Sequence, residues 1–166
     1  MKYVILACLA AALGSGCVAK DKSAAGDSHY DIVAFELKSW GVPIDSWSVS
    51  ADGAGEWVET LRTEGQGFRD YHLARHALHL TPAQVAQVVR AAAAVPPPFD
   101  DGSCKESVTD MPYGTLRLTR GGRTEELRFS NNCRDPGNLA LIQRLQALDT
   151  LVSAWGKAAP ALVDAD

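Results

Sequence analysis

Between Thr115 and Ser130 the chain reads TLRLTRGGRTEELRFS, and this stretch limits the possible folds more than any other. Apolar and polar residues alternate on both sides of Gly121-Gly122, the mark of two strands joined by a two-residue turn. Such a turn sets the register. Leu116 then faces Leu127, and Arg117 faces Glu126 on the opposite side. One side of the ribbon is apolar and the other carries a charge pair, so any fold for this chain contains an antiparallel unit with one face to bury.

The segments before it repeat the theme. Asp31 to Trp40 alternates, with Val33, Phe35 and Leu37 on one side, until Gly41-Val42-Pro43 breaks the run. SWSVSADGAGEWVET reads as a second hairpin with Asp52-Gly53 at its turn. Two helix starts follow. Thr81-Pro82-Ala83-Gln84 combines an N-cap, a proline in the first turn and a capping-box glutamine, and Val85, Val88, Val89 and Ala92 form one apolar face before Pro96-Pro97-Pro98. Asp135-Pro136 opens the second helix, with Leu141, Leu145, Leu148, Val152 and Trp155 as its buried stripe and Gly156 as its C-cap. The expected architecture is α+β, in the order β-β-β-α-β-β-α. It has a five-stranded, mainly antiparallel sheet with two helices packed on one face, spanning residues 31–157 and followed by a disordered tail, 158–166.

The N-terminus sets a different constraint. Lys2 precedes an apolar run from Tyr3 to Leu13, well short of the ~20 residues a spanning helix needs. The run ends in Leu13-Gly14-Ser15-Gly16-Cys17, which resembles the lipobox of bacterial lipoproteins. That resemblance implies cleavage after Gly16, a signal peptide over 1–16, and acylation of Cys17. Several acyl chains, palmitate among them, hold a protein at a membrane without a transmembrane helix. Val18 in place of Asp implies sorting to the outer membrane, with the domain facing the periplasm. Residues 17–30 are small and polar and read as a flexible tether.

Removing Lys2 with the leader takes the net charge from −4 to −5. This argues against nucleic acid as a partner. Besides Cys17, the processed chain keeps Cys104 and Cys133, an even pair that forms a disulfide in an oxidising compartment.

From Asp31 to Lys157 the pattern of strand, D-G hairpin, capped helix, Cys104, Thr109-Asp110-Met111-Pro112-Tyr113-Gly114, hairpin, Cys133 and final helix resembles a group of uncharacterised Gram-negative outer-membrane lipoproteins. The resemblance implies the address and the architecture, and brings no catalytic residue and no cofactor.

Candidate sites remain. His72, His76 and His79 would share a face of a helix and could bind a metal there. The strong helix start at Thr81 argues that Phe68 to Leu80 is extended, which puts His72 and His76 about 13 Å apart and turns His79 to the other face. Asp100, Asp101 and Asp110 lie near Cys104 but fit no EF-hand loop. No nucleophile elbow or phosphate loop is present. Tyr113 either packs over the disulfide or contacts a partner. With a two-residue turn at Asp52-Gly53, Ser48 faces Trp57, and Trp57 lands among serines on the side away from the helices, as an interface anchor would. A bulge at Gly53 or Gly55 instead returns it to the core. The chain thus reads as a membrane-anchored module that contacts an envelope protein rather than an enzyme. The alternative is a small hydrolase or metal-dependent enzyme built on the histidine segment.

Overall fold

The computed structural model describes residues 29–62, 65 and 67–162. The signal segment, Cys17 and most of the tether lie outside the described residues. The fold is α+β: β1 (Ile32–Ser39), β2 (Val42–Ser50), β3 (Ala54–Arg62), β4 (Tyr71–His79), α1 (Pro82–Ala93), β5 (Tyr113–Arg120), β6 (Arg123–Ser130) and α2 (Pro136–Ala158). All pairings are antiparallel, and the sheet has six strands in the order β4-β3-β2-β1-β5-β6. The five-strand expectation is one short, and the order becomes β-β-β-β-α-β-β-α. The additional strand is β4, paired with β3 over all nine of its residues. Its own pattern is poor, because Tyr71 and Leu73 point one way and Leu78 the other. Pairing with β3, rather than an apolar face of its own, makes it a strand.

The β5–β6 ribbon has the register that its Gly-Gly turn dictates, Leu116 opposite Leu127 and Arg117 opposite Glu126. Gly121 and Gly122 take φ of 56° and 75°, the left-handed pair that matches the twist of a hairpin. The β2–β3 hairpin departs from the two-residue reading. β2 ends at Ser50 and β3 begins at Ala54, so Ala51, Asp52 and Gly53 form a three-residue loop. Gly53 sits at φ 88°, and a Cβ there would come within 2.2 Å of the Leu80 carbonyl oxygen. The additional loop residue shifts every pair by one. Trp47 faces Trp57, not Val58, and Trp57 moves to the helix side, 1% exposed. The proposed surface anchor at Trp57 is therefore corrected to a core residue.

Both helices cover the same face of the sheet. Val33, Phe35, Trp47, Val49, Trp57, Leu78, Leu116 and Phe129 meet Val88, Ala92, Leu141, Leu145, Leu148 and Val152. Phe35 stacks on Trp47 at 5.7 Å and on Phe129 at 5.6 Å between ring centroids. Gly114 leaves the space that Phe129 fills, since a Cβ there would meet the Phe129 ring at 2.7 Å. The opposite face is laced with ion pairs, Glu56–Arg75 and Arg117–Glu126–Arg128 among them, and suits water.

The helix starts follow the expected chemistry in part. Thr81 and Gln84 make the full capping box. Asp135 occupies the N-cap position of α2, but its carboxylate accepts from the Lys105 amide instead, at 3.1 Å. Gly156 is not the C-cap. The helix continues to Ala158, and Gly156 lies within it because the Trp57 ring packs there; a Cβ would come within 2.3 Å of that ring. The tail is also not free throughout. Ala161 bridges His76 on the outer edge of β4, and the Leu162 amide donates to Arg75 O at 2.7 Å. At the other end the fold begins slightly before Asp31, with the Arg120 guanidinium over the Tyr30 ring and donating to His29 O.

Candidate functional site

Four chain segments meet at one end of the sheet. The first is the β1–β2 turn. Ser39 pairs with Val42, leaving Trp40-Gly41 as a two-residue turn with φ of 52° and 78°. Asparagine or glycine is the low-cost choice at the first of these positions. A tryptophan there holds a left-handed backbone at a cost of about 1 kcal/mol. Its side chain is nevertheless 65% exposed. The second segment is Asp110-Met111-Pro112, where Asp110 is the other non-glycine residue with positive φ, 64°. The third is Tyr113 at the start of β5, opposite Lys38 of β1. The fourth is Asn132, just after β6. Trp40, Asp110, Met111, Tyr113 and Asn132 line a shallow hollow of about 290 Å³.

The hollow is held from behind. Cys104 and Cys133 form the expected disulfide, 29 residues apart. The loop it closes runs back along residues 131–134: Val108 N donates to Asn132 O, Arg134 N to Glu106 O and Asn131 N to Pro112 O. Asn138 of α2, buried, donates to the carbonyls of Ser130 and Cys133. Tyr113 does not simply cover the disulfide. It is 42% exposed, and its hydroxyl accepts from the Gly41 amide at 3.2 Å, tying the two turns together. Strain, exposed aromatic surface and a rigid support therefore coincide at this corner.

The histidine segment gives no such convergence. In the extended β4, His72 and His76 lie on the helix side and His79 on the other. His76 is 7% exposed and committed: Nδ1 donates to Ala159 O at 3.0 Å, and the ring rests 4.9 Å from that of Trp57. Of the acidic residues near Cys104, Asp100 accepts from the Gly102 amide and Asp110 lies in the corner. Asp135 approaches Cys104 and Cys133, but both sulfurs are bonded to each other and have no lone thiolate to give a metal.

A buried polar set escapes sequence reading altogether. Asp45 of β2 and Asp149 of α2 face each other where the helix crosses the sheet. Ser153 Oγ donates to Asp45 Oδ2 at 2.8 Å and lies 3.3 Å from Asp149 Oδ1; the Trp47 indole donates to Asp149 and that of Trp57 to Ser153. One hydroxyl proton thus serves two carboxylates, and Asp45 Oδ1 has no partner. Burial, and then the Asp149 charge, push Asp45 up to about 6; burial raises Asp149 as well, with the hydrogen bond from the Trp47 indole offsetting part of it. Both folded-state values lie above the ordinary range, so the folded state binds protons more readily than the unfolded chain. Stability should fall as pH rises from about 4 to about 6. We expect Asp45→Asn to add about 1–2 kcal/mol at pH 7.5, after allowance for partial exposure, and nothing below pH 4. Denaturation of both proteins across that range checks this, and parallel curves would contradict it. Glu59 and His76 stand nearby, 3.4 Å apart, but among the described residues these groups do not gather closely enough to share a metal.

Of the corner, Tyr113 stands out in the sequence as a candidate contact and Asp110 as one of three acidic residues near Cys104. Trp40 was detectable, since W-G between two alternating runs occupies the place of an N-G turn. No helix of the described residues is long and apolar enough to cross a membrane. Compared with protein-family models and with curated proteins, the chain matches none.

Proposed function

We propose that this chain is an outer-membrane lipoprotein, anchored through Cys17, whose periplasmic domain contacts a protein of the cell envelope through the Trp40–Tyr113 corner. The observation that carries the reading is Trp40. A large apolar ring is held in solvent on a strained turn, where a smaller residue would cost less on both counts. Aromatic residues on rigid, partly exposed supports are the usual anchors of protein interfaces. The anchor rests on the lipobox resemblance and the contact on the corner, so the two are tested separately.

Cys17→Ser should abolish lipid labelling and leave unprocessed precursor; a normally cleaved, soluble periplasmic product would overturn the lipoprotein assignment. For the contact, a photo-reactive phenylalanine analogue in place of Asn132 should cross-link a partner in intact envelopes. Trp40→Gly should cut that yield at least five-fold while raising stability by about 1 kcal/mol, because glycine accepts the left-handed turn freely. An unchanged yield would remove the corner from the proposal. The alternative, a small hydrolase or metal-dependent enzyme on the histidine segment, finds no converging set of side chains among the described residues.

A further inference from the structure

We infer that the corner recognises a cationic guanidinium, an arginine side chain presented by the protein partner. This inference rests on the proposed contact role and names its chemistry. Four observations lead to it. The hollow, at about 290 Å³ and shallow, is at the lower limit of small-molecule pockets and suits one long side chain better than a whole ligand. Its lining residues include Trp40 and Tyr113, aromatic residues whose faces attract a flat cation, and Met111, which adapts its shape to what it meets. Asp110 supplies a carboxylate in the same hollow, exposed and with no ion pair among the described residues. Asn132 offers a neutral polar group beside it.

The basic residue across the β1–β5 register does not oppose this. Lys38 faces Tyr113 in the β1–β5 register, but its ammonium is held by Glu36 at 2.8 Å. A carboxylate ligand would be repelled by Asp110 and by the net charge of the domain. A purely apolar ligand would leave Asp110 desolvated without a partner. A guanidinium satisfies both features at once, since its plane stacks on an indole while its edge offers paired donors to a carboxylate.

The test uses two arms. In the first, the full chain with Cys17→Ser, purified in mild detergent, is titrated with acetyl-arginine amide at constant ionic strength. The indole N–H signal of Trp40 is followed by NMR after assignment with Trp40→Phe. We expect a saturable shift, weakened at least five-fold by Asp110→Asn, with acetyl-citrulline amide giving no response. An equal response to citrulline or to acetyl-lysine amide, no response to arginine, or indifference to Asp110→Asn would overturn the inference. In the second arm, cross-linking from position 132 in envelopes is repeated with Asp110→Asn, and the captured peptide is sequenced. A cross-linked segment containing arginine, and lost in Asp110→Asn, supports the inference. Cross-linking that depends on Trp40 but not on Asp110 leaves the contact role intact and ends the guanidinium assignment. A guanidinium response without any Trp40-dependent cross-link keeps the site and ends the contact role.

Discussion

Trp57→Ala should destabilise the domain by about 3–5 kcal/mol, the loss expected for emptying a large buried aromatic site. Trp57 is 1% exposed and is the residue about which α2 is placed on the sheet. Its ring fills the space above Gly156, leans on His76 and donates through Nε1 to Ser153. Truncation would therefore leave a cavity under the last turns of α2 and remove one donor from the Asp45–Ser153–Asp149 set. For a domain of this size the melting temperature should fall by about 10 °C or more. The complementary change, Gly156→Ala, forces a methyl against the same ring and should cost about 1–3 kcal/mol by overpacking. Urea unfolding of both variants checks the pair. A loss below 1 kcal/mol in Trp57→Ala would be incompatible with its place in the core.

Replacing both disulfide cysteines by alanine should cost about 3.5 kcal/mol, the chain-entropy value for a loop of this length. The effect should not stop at stability. Asp110 to Pro112 belong to the segment that follows Cys104, which the disulfide staples beside Cys133, itself 2% exposed. Partner cross-linking from position 132 should therefore drop in the double variant even at temperatures where the sheet and helices remain folded. Denaturation midpoints together with cross-link yield measure the two effects. An unaltered yield would show that backbone hydrogen bonds along residues 106–108 and 131–134 hold the corner without the covalent link.

Some of this molecule was open to reading from residues alone, and the difference lies in how local the determining interaction is. The β5–β6 register follows from two adjacent glycines, and the start of α1 from four consecutive residues, so both are legible. The β2–β3 hairpin admits two registers one residue apart, because Asp-Gly fits the centre of a two-residue turn and the end of a three-residue one equally well. The choice depends on Leu80, whose amide donates to Gly53 O from 27 positions away. The extended backbone of β4 is legible from the helix start at Thr81, but its place in the sheet is not, because β3 stabilises it more than its own pattern does. The Asp45–Asp149 pair spans 104 positions and carries no periodic mark. The exposure of Trp40 is a property of what does not cover it, which no spacing of apolar residues records.

The two edges of the sheet are closed by different means. Strand β6 carries Arg123, Glu125, Glu126 and Arg128, a fence of charge that discourages another strand from pairing with it. Strand β4 has no proline, no lysine and no acidic residue, and among the described residues its outer edge is met only by the turn back of the chain at Ala161 and Leu162. The short segment after α2 therefore works as a selvedge, the woven border that keeps a cloth from unravelling or being sewn to its neighbour. A chain that lost these few residues would keep its core and its corner, yet leave the peptide groups at Arg75 and His76 open to a neighbouring strand as well, and the cost would appear as self-association rather than as unfolding.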